Sequence, residues 1–324
     1  MKYVYYILEI MLHKNIKMNK VISLMGPTAS GKTDLAISLK KNFNIEIISV
    51  DSVMFYKEFN IGSAKPDSKT LIDFPHRLVN ILEPCQKYSV AQFYQDLLIE
   101  ISNIHSMKKI PLLVGGSMMY FKTFFSGGLS KLDEISDDTR KKVADMLKNN
   151  NLAYLYSYLK KVDPASSNKI HFNDKYRIVR VLEIYFSNKD KPSDIFNKCS
   201  ENVQYFDNLN LSIMPNERKI LHNNIERRLD IMFEQGFLNE VSNLKNKYTG
   251  LHLPAMQTIG YKQVNEYLNG SYDTHVMKNK MLFATRQLAK RQITWLRHLD
   301  ATTVYSSVDY DNIKSRVNNF LEDI

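Results

Sequence analysis

The sequence predicts an α/β protein in which a parallel sheet carries a phosphate-binding loop, with a mostly helical inserted domain and a helical C-terminal third. The loop is the first observation behind this prediction, because residues 26–33 read GPTASGKT and fit the pattern G-x-x-x-x-G-K-[ST]. Apolar runs at 45–50 and 110–114 have the length and composition of buried parallel strands. Helical periodicity dominates the segment from 132 to 210 and again the last third of the chain.

The phosphate-binding loop lies in the context that gives its pattern meaning. Val21–Met25 before it is a short apolar run typical of a strand, and Asp34–Lys40 after it has helical spacing. In such a loop the backbone N–H groups and the helix N-terminus point at an anion, and Lys32 adds a positive charge. The Thr33 hydroxyl is placed to hold a magnesium ion. We therefore predict that a diphosphate or triphosphate binds to Gly26, Pro27, Thr28, Ala29, Ser30, Gly31, Lys32 and Thr33.

The next two predicted strands end in sequences that bear on chemistry. Ile45–Val50 is followed directly by Asp51, which we expect in the same crevice as Lys32 because parallel strands gather their carboxyl ends at one sheet edge. Ile110–Val114 ends instead in the sequence GGS at 115–117. This sequence supplies no carboxylate for magnesium, and we expect its backbone to come close to a ligand.

Composition indicates the class of protein and of partner. The chain has 324 residues and a net charge of +10 with a pI near 9.2, which favours a polyanionic partner. Cys85 and Cys199 are its two cysteines, too few for a disulfide framework, so we expect a reducing cytoplasm. The chain lacks a run of about twenty apolar residues, so we expect no membrane span. We interpret residues 1–18 as an extension outside the fold.

The segments after residue 60 suggest how the chain is divided. A polar, turn-rich stretch at 61–66 predicts a loop that rims the site. We place the first part of the core at 19–131, a helical insertion domain at 132–208 and the rest of the core at 209–324. Within the insertion, Asp163-Pro164 predicts a helix start, and Asn173-Asp174 predicts a capped helix that carries Arg177 and Arg180 on one side. Leu209–Met214 predicts a strand that returns to the sheet.

The last third of the chain is predicted to be helical. Apolar residues from Ile225 to Val241 follow the spacing of one packed helix, and a short break is expected at 257–262. The segment 274–299 contains six lysines and arginines and no acidic residue. Arg286, Lys290 and Arg297 share one side of that helix, which predicts either contact with a polyanion or a solvated charged face.

Taken together, these segments resemble the tRNA dimethylallyltransferases, enzymes that prenylate an adenosine beside the anticodon. The segments that carry the resemblance, in chain order, are 26–33, 51–52 with 61–66, 113–117, 173–180, 259–261 and 284–297. The last of these reads ATRQLAKRQITWLR and is very specific to the family. The chain ends at Ile324 with no cluster of cysteines and histidines there, so we expect the bacterial form without a zinc finger.

The resemblance implies roles for individual residues. The loop would hold the diphosphate of dimethylallyl diphosphate, with Mg²⁺ on Thr33, and Lys32 would stabilise the leaving group. Asp51 matches the proposed general base of the family, and Ser117 stands where the family usually has threonine. Arg140 falls near the position of an arginine that contacts the leaving diphosphate.

The resemblance also implies a tRNA-binding surface and a monomeric enzyme. The partner would be the anticodon stem-loop, whose target base must leave its stack to reach a pocket. The residues assigned to tRNA binding are Asp51, Ser52, Val53, Met54, Ser117, Arg140, Tyr176, Arg177, Ile178, Val179, Arg180, Gln257, Thr258, Ile259, Gly260, Tyr261, Lys262, Arg286, Lys290, Arg291 and Arg297.

Two other functions are compatible with a phosphate-binding loop. A small-molecule or nucleotide kinase would use the arginine-bearing insertion as its lid, but it would not need the acid-free basic helix at 274–299. An ATP-dependent protein that remodels RNA would be expected to carry a carboxylate after Val114, where this chain has glycine.

Overall fold

The structure is a computed structural model that describes residues 20–128, 135–198, 206–299, 302–306 and 309–322. The predicted extension at 1–18 and Cys199 lie outside these residues. Within the described residues the chain forms two compact units, one made of those before residue 125 and after residue 204 and the other made of those between. The second unit overlaps the segment predicted as an insertion at 132–208, and the domain boundaries drawn from the sequence stay a prediction.

The first unit is built on a six-stranded sheet with all described pairings parallel, in the order β3-β2-β4-β1-β5-β6. The strands are β1 (Lys20–Met25), β2 (Ile45–Val50), β3 (His76–Arg77), β4 (Ile110–Gly115), β5 (Asp207–Ile213) and β6 (Thr303–Tyr305). Gly115 is in register with both Met25 and Val50, so β1, β2 and β4 end side by side. The predicted fold class is confirmed, and so are the four strands predicted from apolar runs.

Helices cover the sheet and form the rest of the first unit. They are α1 (Lys32–Asn42), α2 (Ser68–Asp73), α3 (Val90–Ser106) and α4 (Met118–Phe125), then α10 (Arg218–Glu234), α11 (Phe237–Lys247), α12 (Tyr261–Leu268), α13 (Thr274–Leu296) and α14 (Tyr310–Glu322). A short 3₁₀ helix at Pro254–Gln257 precedes α12. The prediction of one helix from Ile225 to Val241 is wrong, because Gly236 adopts a φ of 92° and separates α10 from α11.

Two hydrophobic cores hold the first unit together. One lies between β1, β2, β4 and β5 and the helices α1 and α14, with Leu24, Leu35 and Ile313 among its fully buried members. The other lies among the C-terminal helices and the segment around residue 59, with Phe59 and Tyr261 at its centre. The second core therefore holds the C-terminal helices against the segment that follows β2, near the end of the sheet where the phosphate-binding loop begins.

The second unit is a small helical body with its own core. Its helices are α5 (Asp137–Asn149), α6 (Leu152–Val162), α7 (Pro164–Lys169), α8 (Lys175–Asn188) and α9 (Pro192–Lys198). Val143, Leu155 and Leu182 are fully buried within it. The predicted helix starts are confirmed, since Asp163 caps α7 and Asp174 caps α8 through backbone N–H groups.

Within the described ranges, no helix combines the length and the apolar character needed to cross a membrane.

Candidate active site

The phosphate-binding loop joins the end of β1 to the start of α1, as the sequence predicts. Ala29 and Gly31 adopt positive φ values of 61° and 87°, and Gly31 immediately precedes the first residue of α1. The Lys32 ammonium donates to the Pro27 carbonyl at 2.6 Å and to the Ser30 hydroxyl at 3.5 Å. The lysine thus curls back over its own loop, where its charge can meet an anion that the loop binds.

Burial sets the charge state of Lys32. The surrounding protein lowers the pKa of Lys32 to about 7, chiefly by burial and then by the positive charge of Arg228. The Asp51 carboxylate acts on this pKa in the opposite direction. A bound diphosphate would act as Asp51 does and favour the charged ammonium.

Asp51 follows β2 at the edge of the sheet, and its neighbours hold one of its two oxygens. Its Oδ1 accepts N–H groups from Val53 at 2.8 Å and from Met54 at 3.1 Å. This turn fixes the side chain and leaves Oδ2 outside those two hydrogen bonds. Asp51 also lines a cavity and acts electrostatically on both Lys32 and Arg228, so it lies near Lys32. Lys32 does not line this cavity, and a crevice shared by Asp51 and Lys32 stays a prediction.

The cavity has a volume of about 640 Å³, within the range of small-ligand pockets. Its polar lining includes Thr28, Asp51, Ser52, Ser63, Ser117, Arg228, Gln257, Thr258, Thr285, Arg291 and Gln292. Its apolar lining includes Ala29, Val53, Ile225, Leu229, Met232, Ile259, Met281, Leu288 and Trp295. An anion-binding loop and a carboxylate therefore border a largely apolar chamber.

Two residues of α10 contact the phosphate-binding loop and were missed in the sequence. The Asn224 amide donates to the Ala29 carbonyl at 3.3 Å, and Arg228 Nη1 donates to the Thr28 hydroxyl at 3.4 Å. Burial lowers the pKa of Arg228, while Asp51 acts in the opposite direction. A signal for Arg228 was present, because it lies on the same helical stripe as the buried Ile225 and Leu229.

The glycine pair at the end of β4, Gly115 and Gly116, is required by close contacts within the protein. A Cβ on Gly115 would lie 1.9 Å from the Val50 carbonyl oxygen, which is too close for any side chain. A Cβ on Gly116 would lie 2.4 Å from Nε2 of Gln292. The pair therefore allows β4 to pack beside β2 and allows α13 to approach the loop that carries Ser117.

The loop at 61–66 rims the cavity, as predicted, and Glu240 holds it. The Glu240 carboxylate accepts the backbone N–H groups of Asn60, Ile61 and Gly62 at 2.8–3.2 Å. The Tyr261 hydroxyl donates to the same carboxylate at 2.6 Å, and the pKa of Tyr261 is raised, mainly by burial. Tyr261 is fully buried, so its side chain supports the rim and is not part of an exposed surface.

The second unit contains Arg140 and residues 176–180, which the sequence analysis assigns to tRNA binding. Arg140 pairs with Asp137 at 3.0 Å on α5, and its assignment to the leaving diphosphate stays a prediction. Tyr176 is 80% exposed, whereas Ile178 is fully buried in the core of this unit. The side chain of Ile178 therefore serves packing, and the tRNA assignment of its neighbours stays a prediction.

The basic residues of α13 divide between two sides of the helix. Arg291 lines the cavity together with Gln292 and Trp295. Arg286, Lys290 and Arg297 instead line a separate groove with Arg218 and His222 of α10. The two sets lie about 180° apart at 100° per residue, so the predicted stripe does not reach the cavity.

The oxygen atoms near the phosphate-binding loop suit a magnesium ion that is held mainly by the phosphate groups of a bound substrate. Among the described residues there is no group of three or more histidine, cysteine or acidic side chains able to hold a metal by itself. Thr33 lies in the first turn of α1, half-buried, and Asp51 keeps one oxygen outside its turn. Hydroxyl and carboxylate oxygens suit Mg²⁺, which usually takes few protein ligands and completes its shell with phosphate and water.

Comparison with known proteins gives the same family at the level of sequence. The family described as IPP transferase matches residues 54–299. Two proteins called tRNA dimethylallyltransferase, from Legionella pneumophila strains Corby and Lens, are 44% and 43% identical over 292 residues. Each alignment covers 90% of this chain and 93% of the relative.

Solved structures agree with the sequence comparison. The full-length tRNA isopentenylpyrophosphate transferase of Bacillus halodurans is 30% identical with a TM-score of 0.67, over 94% of this chain and 95% of that chain. A eukaryotic dimethylallyltransferase acting on tRNA is 28% identical with a TM-score of 0.78, over 94% of this chain and 80% of that chain. The likeness therefore extends over nearly the whole chain.

Proposed function

Because this chain belongs to the IPP transferase family, we propose that its cavity transfers a dimethylallyl group from dimethylallyl diphosphate to tRNA. The acceptor is the exocyclic amine of the adenosine on the 3′ side of the anticodon. The resemblance recognised in the sequence is confirmed, and transfer of a dimethylallyl group to tRNA is the activity of the family. Different residues around the cavity bind the donor, accept the proton and receive the acceptor base.

The donor occupies the loop with its diphosphate and the apolar chamber with its hydrocarbon. Backbone N–H groups at the start of α1, the Lys32 ammonium and the Arg228 guanidinium bind the phosphate oxygens. Met232, Met281 and Leu288 line the chamber that receives the dimethylallyl group. In the proposed arrangement the negative charge of the leaving group would develop among cations that the protein already holds in position.

The acceptor amine requires a base because its lone pair is delocalised into the adenine ring. The amine nitrogen forms a bond to C1 of the dimethylallyl group while the bond from C1 to the bridging oxygen breaks. The displaced proton moves to the Asp51 carboxylate, and diphosphate leaves with the electron pair of the broken bond. Oδ2 is the oxygen of Asp51 suited to this task, since Oδ1 accepts two backbone N–H groups.

Thr33 and the loop would hold Mg²⁺ together with the diphosphate. When bound, the ion neutralises part of the charge that develops on the leaving diphosphate. The Ser117 hydroxyl lines the same cavity and would orient the acceptor base.

The target base of the tRNA leaves its stack in the anticodon loop and enters the chamber. Gln257, Thr258 and Ile259 line the cavity and offer polar and apolar contacts to that base. The net charge of +10 supports attraction to the anticodon stem-loop. Action as a monomer stays a prediction from the resemblance, and location in the cytoplasm stays a prediction from composition.

The observation that carries the proposal is the shared position of Asp51, Thr28 and Arg228 on one cavity. The test incubates the protein with dimethylallyl diphosphate labelled in its hydrocarbon, magnesium and a tRNA transcript. We expect label in RNA, at the adenosine beside the anticodon after nuclease digestion. A parallel reaction with γ-labelled ATP tests the kinase alternative, and phosphate transfer without prenyl transfer would overturn the proposal.

A further inference from the structure

Gln292 connects the phosphate-binding loop to the loop that follows β4. Its Oε1 accepts the backbone N–H of Thr28 at 2.9 Å. Its Nε2 donates to the backbone carbonyl of Gly116 at 2.9 Å. One amide on α13 therefore hydrogen bonds to both loops that border the cavity.

The connection is buried and sterically defined. Gln292 is 8% exposed, so water competes little for either hydrogen bond. The amide occupies the space where a Cβ on Gly116 would stand, since that atom would lie 2.4 Å from Nε2. The side chain thus fills a fixed position between the two loops.

The two loops serve different substrates in the proposed reaction. Thr28 belongs to the loop that holds the diphosphate, and the Thr28 hydroxyl accepts a hydrogen bond from Arg228. Gly116 directly precedes Ser117, which lines the cavity on the side of β4 and donates its N–H to the Val50 carbonyl at 3.4 Å. A change in the spacing of these loops would move the donor carbon relative to the acceptor amine.

We propose that Gln292 is a positioning residue that sets the spacing between the donor-binding loop and the acceptor-side loop of the cavity, an inference that rests on the proposed function. An amide is suited to this task because it offers an acceptor and a donor at one time. Glutamate would direct a carboxylate oxygen at the Gly116 carbonyl, and methionine would lose both hydrogen bonds while keeping similar length.

The kinetic test compares Gln292→Met with Gln287→Met, the same change on the same helix at a half-buried position outside the cavity lining. We expect Gln292→Met to lower the single-turnover rate at saturating substrates by about tenfold to a hundredfold, because a shift near 1 Å can have such an effect. The KM for tRNA should stay within about threefold of the normal value, and Gln287→Met should behave as the unmodified protein. An unchanged single-turnover rate in Gln292→Met would overturn the proposal.

A second variant separates positioning from general loss of stability. Gly116→Ala should also slow the reaction, because its Cβ collides with Nε2. In the Gln292→Ala background this collision is removed and only an approach of 3.3 Å to the Gly26 carbonyl oxygen remains, so we expect the double variant to be at most slightly slower than Gln292→Ala alone. Independent, multiplicative losses in the two single variants would overturn the proposal.

A third measurement does not depend on transfer. Amide hydrogen exchange should speed up in the peptides around Thr28 and Gly116 in Gln292→Met, and stay unchanged in the strand at 45–50. If the unmodified protein transfers no prenyl group, the proposed function fails, while the exchange result still decides whether Gln292 holds the two loops. Unchanged exchange in both peptides would overturn the proposal even in an active enzyme.

Discussion

The guanidinium of Arg228 lies 3.4 Å from the hydroxyl of Thr28, so a helix from the C-terminal third delivers a cation to a loop near the start of the chain. Burial lowers the pKa of both Lys32 and Arg228, and Asp51 is the acid that acts on both in the opposite direction. When Lys32 is protonated, two half-buried cations with one nearby carboxylate leave a surplus of positive charge. That surplus is suited to a diphosphate, which brings the compensating negative charge.

The first prediction concerns Arg228 and uses its sequence neighbour as the control. Arg228→Gln keeps a polar side chain but removes the charge, so the KM for dimethylallyl diphosphate should rise by about tenfold to a hundredfold. Arg227 is exposed on the other side of α10, and Arg227→Gln should leave that KM unchanged. Steady-state kinetics at saturating tRNA measures both values. Equal effects of the two changes would show that only the general charge of the helix matters.

The second prediction concerns the pH dependence of Lys32. Its pKa in the folded protein is lowered to about 7, so the unfolded chain binds more protons between that pH and the ordinary lysine value. Because burial penalises the charged form, Lys32 destabilises the folded protein most at low pH. The free energy of unfolding therefore rises as the pH rises through this window. Lys32→Met should raise stability most at pH 6 and by about 2 kcal/mol less at pH 9.

Urea unfolding of both proteins at these two pH values gives the comparison. Lys32→Met should also abolish tight binding of inorganic pyrophosphate, and in the unmodified protein this binding should weaken as the pH rises above 7. A stability difference that stays constant with pH would contradict the burial of the charge.

Much of the fold and part of the site could be predicted because their signals are local. The loop at 26–33, the strand that ends at Asp51 and the caps at Asp163 and Asp174 each depend on residues close together in the sequence. The division of α10 from α11 was missed, since the apolar spacing continues across Gly236 and only its backbone conformation ends the helix.

The missed site residues depend on contacts between distant segments. Arg228 reaches Thr28 across 200 residues of chain and Gln292 reaches the same residue across 264. Spacing within a helix can show that a polar residue lies on a buried stripe, but it does not show which loop packs there. The same limit applies to Arg286, Lys290 and Arg297 of α13, because only tertiary packing decides whether their side of the helix faces the cavity.

The third prediction concerns Asp51 as the base. Asp51→Asn keeps the size and an acceptor oxygen for the Val53 and Met54 N–H groups, so the turn should persist. Loss of basicity should lower the single-turnover rate by roughly a hundredfold to ten-thousandfold, with both substrates still bound. The rate is measured at increasing magnesium concentrations. Recovery at high magnesium would assign Asp51 to metal binding and remove it from the role of base.

The fourth prediction separates the two sides of α13. Arg291 lines the cavity, so Arg291→Gln should lower the single-turnover rate for prenyl transfer by about tenfold or more. Lys290 lies on the other side, in the groove with Arg218 and His222, so Lys290→Gln should leave that rate unchanged at saturating tRNA. If tRNA phosphates bind in this groove, Lys290→Gln should weaken tRNA binding and reduce the slope of log affinity against log salt by about 1.

Filter binding of a tRNA transcript at salt concentrations from about 50 to about 200 mM measures this slope for Lys290→Gln, because contacts with phosphate weaken over this range. The affinity for pyrophosphate serves as the control and should not change, because the groove is separate from the phosphate-binding loop. An unaltered salt slope would show that the side of α13 with Arg286, Lys290 and Arg297 is a solvated face, and tRNA binding would then depend on other parts of the chain.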